Sequence, residues 1–162
     1  MPTNPLGDKY PVNSLTIIAY KLEKLEKPID SVFSVNAAKL MEYFDKYGPE
    51  QRDNAIKMMF DVLYSMEQKG SLLYHARYAL DKVITASTGN SIEEKAAEIR
   101  DTIKSTDIEI VDGLIMKDID PKRIDVYVGA ASGKMPLTDL IKLAIEAEKQ
   151  AKTSSNKIYI KK

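Results

Sequence analysis

The chain has 162 residues, enough to bury a core without staples, and its 24 basic and 24 acidic residues cancel, so no global field draws it to nucleic acid, anionic membranes or acidic partners. It has no cysteine and a single histidine, His75, which excludes disulfides, thiolate chemistry and a paired-histidine zinc site. No apolar run reaches the roughly 18 residues of a membrane span and no cationic-then-apolar leader opens the chain, so the sequence reads as soluble and cytoplasmic, with a compositional lean toward a thermophile.

Residues 1–12, with Pro2, Pro5, Pro11 and Gly7, read as an irregular lead-in. Asn13 or Ser14 is placed to cap a first helix striped by Leu15, Ile18, Ala19, Leu22 and Leu25 and ended before Pro28. Ser34 or Asn36 opens a second helix carrying Ala37, Leu40, Met41 and Phe44, which Gly48-Pro49 closes. Between Gln51 and Thr88, the spacing of Ile56, Met59, Phe60 and Leu63, and then of Leu73, Ala76, Leu80, Val83 and Ile84, predicts two helices joined at Gly70-Ser71 as an antiparallel hairpin. Ser91-Ile92-Glu93-Glu94 reads as a capping box for a fifth helix. From Asp107 the period changes to two. Ile108 and Ile110, the turn Asp112-Gly113, Leu114 to Lys117, then Ile124, Val126 and Val128 predict three strands. A sixth helix carries Leu137, Leu140, Ile141, Ala144 and Ile145, and a last strand runs from Lys157 to Lys161. The expected fold is α+β: a helical bundle of about five helices over 13–105, then over 106–162 a β-β-β-α-β subdomain in which one helix covers a small antiparallel sheet.

Gly129-Ala130-Ala131-Ser132-Gly133-Lys134 imitates a phosphate loop. Its glycines are one residue too close, and Met135 stands where a magnesium-binding hydroxyl is needed, so it reads as a linker. Asp118, Asp120 and Asp125 raise a hard-cation site, against which Pro121-Lys122-Arg123 argues. Neither motif implies a cofactor or a metal. Lys117, Lys122, Arg123, Lys134 and Lys157 form a local basic set that could contact a nucleic acid, and Tyr64, Tyr74 and Tyr78 a candidate partner surface.

A helical bundle from Ser14 to Lys104 followed by a β-region opening at Ile108-Glu109-Ile110-Val111-Asp112-Gly113 resembles, in element order, the small subunit of the archaeal type I-A CRISPR interference complex, Cascade. That resemblance implies a non-catalytic subunit or adaptor in antiviral defence, bound to other protein subunits and supporting guide RNA or displaced single-stranded DNA, with weak self-association allowed. The competing readings are a structural or regulatory helical protein of an archaeal virus or plasmid, and an enzyme built on scattered carboxylates.

Overall fold

A computed structural model of the protein describes residues 5–89 and 91–162. The first four residues of the expected lead-in, and Asn90 in the break before the fifth predicted helix, lie outside these. The elements are α1 (Pro5–Lys9), α2 (Leu15–Lys24), β1 (Ser31–Ala37), α3 (Leu40–Gln68), β2 (Tyr74–Ala79), β3 (Lys82–Ser87), α4 (Ile92–Lys104), β4 (Val126–Ser132), α5 (Leu137–Ala151) and β5 (Ile158–Lys161).

One sheet organises them, with strand order β2-β3-β1-β4-β5. The pairs along it are antiparallel except β4–β5, which is parallel. β1 lies at the centre, with Phe33 opposite both Thr85 of β3 and Ala130 of β4. Alternate side chains point to opposite faces of a strand. Accordingly Phe33, Val35 and Ala37 join a core with α1, α3 and α4, while Val32 joins α2 and α5 through Ile18, Leu22, Leu140 and Ala144. The result is a three-layer sandwich, and the bundle-plus-small-sheet expectation is corrected.

Both major corrections have physical causes. β1 alternates apolar and polar residues from Phe33 to Ala37, but every residue of it is buried, and the polar Ser34 and Asn36, which take no water-facing position, are residue types that also read as the cap of a helix. The segment expected as a fourth helix is the β2–β3 hairpin, whose turn at Leu80-Asp81 lacks glycine and asparagine, and whose apolar residues fall by coincidence at helical spacing. The periodic segments with caps form helices: the Ser14 side chain accepts from the Ile17 amide and that of Ser91 from the Glu94 amide. Gly48, at φ 83 and ψ 179, breaks the course of α3 just before Pro49.

The stretch expected to form the first hairpin of the small sheet is instead a loop from 105 to 125. The turn at Asp112-Gly113 is present, with Leu114 N–H donating to Val111 O at 3.1 Å, but the flanking backbone is held by α3. Tyr43 donates to Pro121 O at 2.7 Å and Tyr47 to Ile119 O, while the Lys117 amide donates to Tyr47 Oη at 3.1 Å. Gln51, fully buried, donates through Nε2 to Glu109 O at 2.9 Å and accepts from Val111 N–H at 2.8 Å. These residues, each four apart along α3, replace a strand partner for the loop. Gln51→Leu leaves the Val111 N–H without a partner, while Glu109 O keeps the Asn54 amide at 3.1 Å, and should cost about 1–3 kcal/mol in urea unfolding. A change under about 0.5 kcal/mol, the range of a neutral surface substitution, would mean that the ladder does not hold the loop.

Candidate functional site

The C-terminal end of β1, the β2–β3 turn and the starts of β4 and β5 meet at one end of the sheet. The Ala37 amide donates to Asp81 O at 3.4 Å, and the Ala38 amide to Asp125 O at 2.9 Å. Lys39 then takes a left-handed conformation (φ 56) and starts α3 without any side-chain cap. The opening amides of α3 therefore lack a side-chain acceptor at the positive end of the helix dipole.

A cavity of about 330 Å³ opens beside them, bounded by Lys39, Glu42, Tyr43, Arg123, Asp125 and Lys157. Its acids and bases are not equivalent. Arg100 donates to Asp125 with both arms of its fork at 2.9 Å, and Lys157 Nζ stands 3.6 Å away. Burial works to raise the Asp125 carboxyl, but Arg100, the Val126 amide and Lys157 outweigh it, leaving the group below the usual carboxylate range. Asp125 is thus committed to structure, whereas exposed Lys39 makes no ion pair among the described residues. Asp81, in the hairpin turn, is shifted upward by burial, against its own backbone bond and the fields of Lys82, Lys152 and Arg77.

Arg77 fixes that turn. Its Nε donates to Ala79 O and Leu80 O at 3.1 Å, its Nη2 to Leu80 O at 2.8 Å, and its Nη1 to Tyr10 O at 3.1 Å, while the guanidinium lies over the Phe60 ring. A larger cavity of about 500 Å³ lies further along α3, floored by Met58, Val62 and Met66. Three of the charged groups on its edge already have partners: Asp61 binds Lys57, as well as Lys9 and Tyr10, and Asp107 binds Arg123.

The expected basic set is split. Arg123 and Lys157 border the smaller cavity, with Lys122 exposed beside Arg123; exposed Lys117 lies on the 105–125 loop, and Lys134 lies beyond the opposite end of β4. Gly129 to Ser132 belong to β4, so the imitation phosphate loop is mostly strand. Asp118 and Asp120 are exposed, and among the described residues no three His, Cys, Asp or Glu side chains converge as a metal set. Tyr74 and Tyr78 lie on β2 against the α2/α5 core, while Tyr64 stands on α3, its ring edge-on to His75. His75 is on β2, with Nδ1 3.4 Å from Glu67 Oε1. Residue chemistry alone did not single out Lys39, whose importance lies in its backbone, nor Asn36 and Glu148. The signal for Glu148 was legible: it interrupts the apolar stripe Leu140, Ile141, Ala144, Ala147 and Ala151 of α5.

No family model matches the chain, and no curated protein matches its sequence. Solved structures match its fold. The GGDEF domain of DgcB from Caulobacter crescentus, in complex with c-di-GMP, superposes with a TM-score of 0.71 at 15% identity, covering 93% of this chain and 89% of that one. The active GGEEF domain of a diguanylate cyclase from Vibrio cholerae gives 0.66 at 16%, covering 92% and 96%. Diguanylate cyclase SiaD from Pseudomonas aeruginosa, in complex with its activator SiaC, gives 0.67 at 11%, covering 98% and 61%.

The fold is therefore that of GGDEF domains. This overturns the Cascade resemblance and the antiviral, non-catalytic subunit it implied, since the architecture is one carried by diguanylate cyclases. The string Gly-Gly-Asp-Glu-Phe or Gly-Gly-Glu-Glu-Phe spelled by those domain names does not occur here, where no two glycines are adjacent. Among the described residues no helix is long and apolar enough to cross a membrane.

Proposed function

We propose that this protein is a guanine-nucleotide-binding domain of the diguanylate cyclase fold, taking cyclic di-GMP or a guanosine triphosphate at the hairpin end of its sheet. The observation that carries the proposal is the uncapped start of α3, opening beside a cavity edged by Lys39, Arg123 and Lys157. Free helix-terminal amides with cations around them suit a phosphate group. The fold supports the same ligand class, since the DgcB domain was solved with c-di-GMP. Of the two competing readings, the enzyme with dispersed carboxylates gains from this fold. Glu42, on the cavity's edge, and Asp81, in the hairpin turn, make no ion pair among the described residues. Among expected partners, another protein keeps support from the complex of SiaD with SiaC, while guide RNA and single-stranded DNA gain none.

Titration calorimetry and thermal melting with cyclic di-GMP, and with GTP plus magnesium, test the proposal. At a hundredfold its dissociation constant, either ligand should raise the Tm by roughly 5–10 °C. Lys39→Glu and Lys157→Glu should each weaken binding about tenfold or more, by turning an attraction for phosphate into repulsion. Chromatography of the GTP mixture reads turnover in the same sample: a cyclic dinucleotide peak would extend binding to catalysis. No response to either nucleotide would overturn the proposal.

A further inference from the structure

On the α2/α5 side of the sheet, a second polar group is buried away from the cavity. Ser34 and Asn36 of β1 share the face of Val32, and the backbone of Glu148 sits directly against Gly129, the register partner of Ser34. Glu148 is 0% exposed, and neither of its carboxylate oxygens has a hydrogen-bond partner. Asn36 is 5% exposed, and its Oδ1 is also unpartnered. Tyr78 reaches the same region, its hydroxyl 2.7 Å from Ser34 Oγ. Burial chiefly, against the Ser34 hydrogen bond and with the charge of Glu148 adding to it, pushes Tyr78 up to about 12. Three buried acceptor oxygens without donors thus lie on the same side of the sheet as these two hydroxyls. Among the described residues no Lys, Arg or His pairs with Glu148.

Packing gives no reason for a carboxylate there, because α5 fills the neighbouring positions with Ala144, Ala147 and Ala151. A buried charge is retained where it is paired or binds an ion. We propose that Glu148 and Asn36, with the hydroxyls of Tyr78 and Ser34, hold one monovalent alkali cation, sodium or potassium, between α5 and β1. Hard oxygen donors select a hard ion. One carboxylate among neutral oxygens balances a single positive charge, whereas a divalent ion would leave net charge in a low-dielectric interior. The next charges along, Asp81 and Lys152, offset one another. With α5 seated against Gly129, the ion is enclosed as the chain folds. This proposal is independent of the nucleotide reading, and its test uses no nucleotide.

The full chain is exchanged into tetramethylammonium chloride and melted in that salt, in sodium chloride and in potassium chloride at equal ionic strength. Sodium or potassium should raise the Tm saturably, by roughly 3–6 °C at about ten times the dissociation constant. Glu148→Leu should abolish the difference between salts. Glu148→Gln, which keeps the shape without the charge, should greatly reduce it and decides the matter if the leucine variant does not fold. Equal melting of the natural chain in all three salts, the same salt response in the Glu148 variants, or a response confined to magnesium or calcium would overturn the proposal.

Discussion

Gly129→Ala is expected to destabilise the fold by about 3 kcal/mol or more in urea unfolding, beyond the range of most core overpacking. A Cβ added at Gly129 would overlap the backbone of Glu148 and the carbonyl of Ala144, and neither can move without lifting α5 off β4. Glycine is required here for close approach rather than for a turn, since Gly129 lies within the regular strand β4. A loss below about 1 kcal/mol, less than overpacking ordinarily costs, would mean that α5 does not rest on the strand as described.

Ending the chain at Ser105 should abolish the cooperative melt altogether. The truncated protein would keep the four helices α1 to α4 and the β2–β3 hairpin, but β1 would lose β4, its partner from Ser31 to Ala37. Val126, Val128 and Ala130 would leave one core, and Leu140, Ile141 and Ala144 the other. Burying less of each face, the remainder could not offset its conformational entropy. A cooperative transition monitored by circular dichroism and near-ultraviolet absorption would show that residues 13–105 form a unit of their own, against the single sheet described above.

Sequence pattern revealed those elements that keep one face in water. α2, α4 and α5 alternate buried and exposed residues at helical spacing, and Ser14 and Ser91 mark two of their starts. It failed where the surroundings on both sides are protein. β1 is buried throughout, so its short alternation from Phe33 to Ala37 has no water-facing side, and its polar members Ser34 and Asn36 also suit a helix start. The β2–β3 turn hides because Leu80-Asp81 carries neither glycine nor asparagine; Arg77 supplies three hydrogen bonds to the turn's carbonyls. In the 105–125 loop the local signal at Asp112-Gly113 was sound, yet strand formation was decided by distant Tyr43, Tyr47 and Gln51. The site was less legible still. Arg123 and Lys157 stand 34 residues apart in sequence and border one cavity only through the register of β4 and β5. The backbone of Lys39 carries its contribution, which no residue-type pattern reports.

Backbone amides report where on the chain a nucleotide sits. In an amide NMR titration of the isotope-labelled chain with cyclic di-GMP, and separately with GTP and magnesium, the largest saturable shifts should fall at Ala38 to Glu42, with smaller ones around Arg123 and Lys157. Shifts confined to the other cavity, at Met58, Val62 and Thr106, or none with either nucleotide at millimolar concentration, would contradict the account.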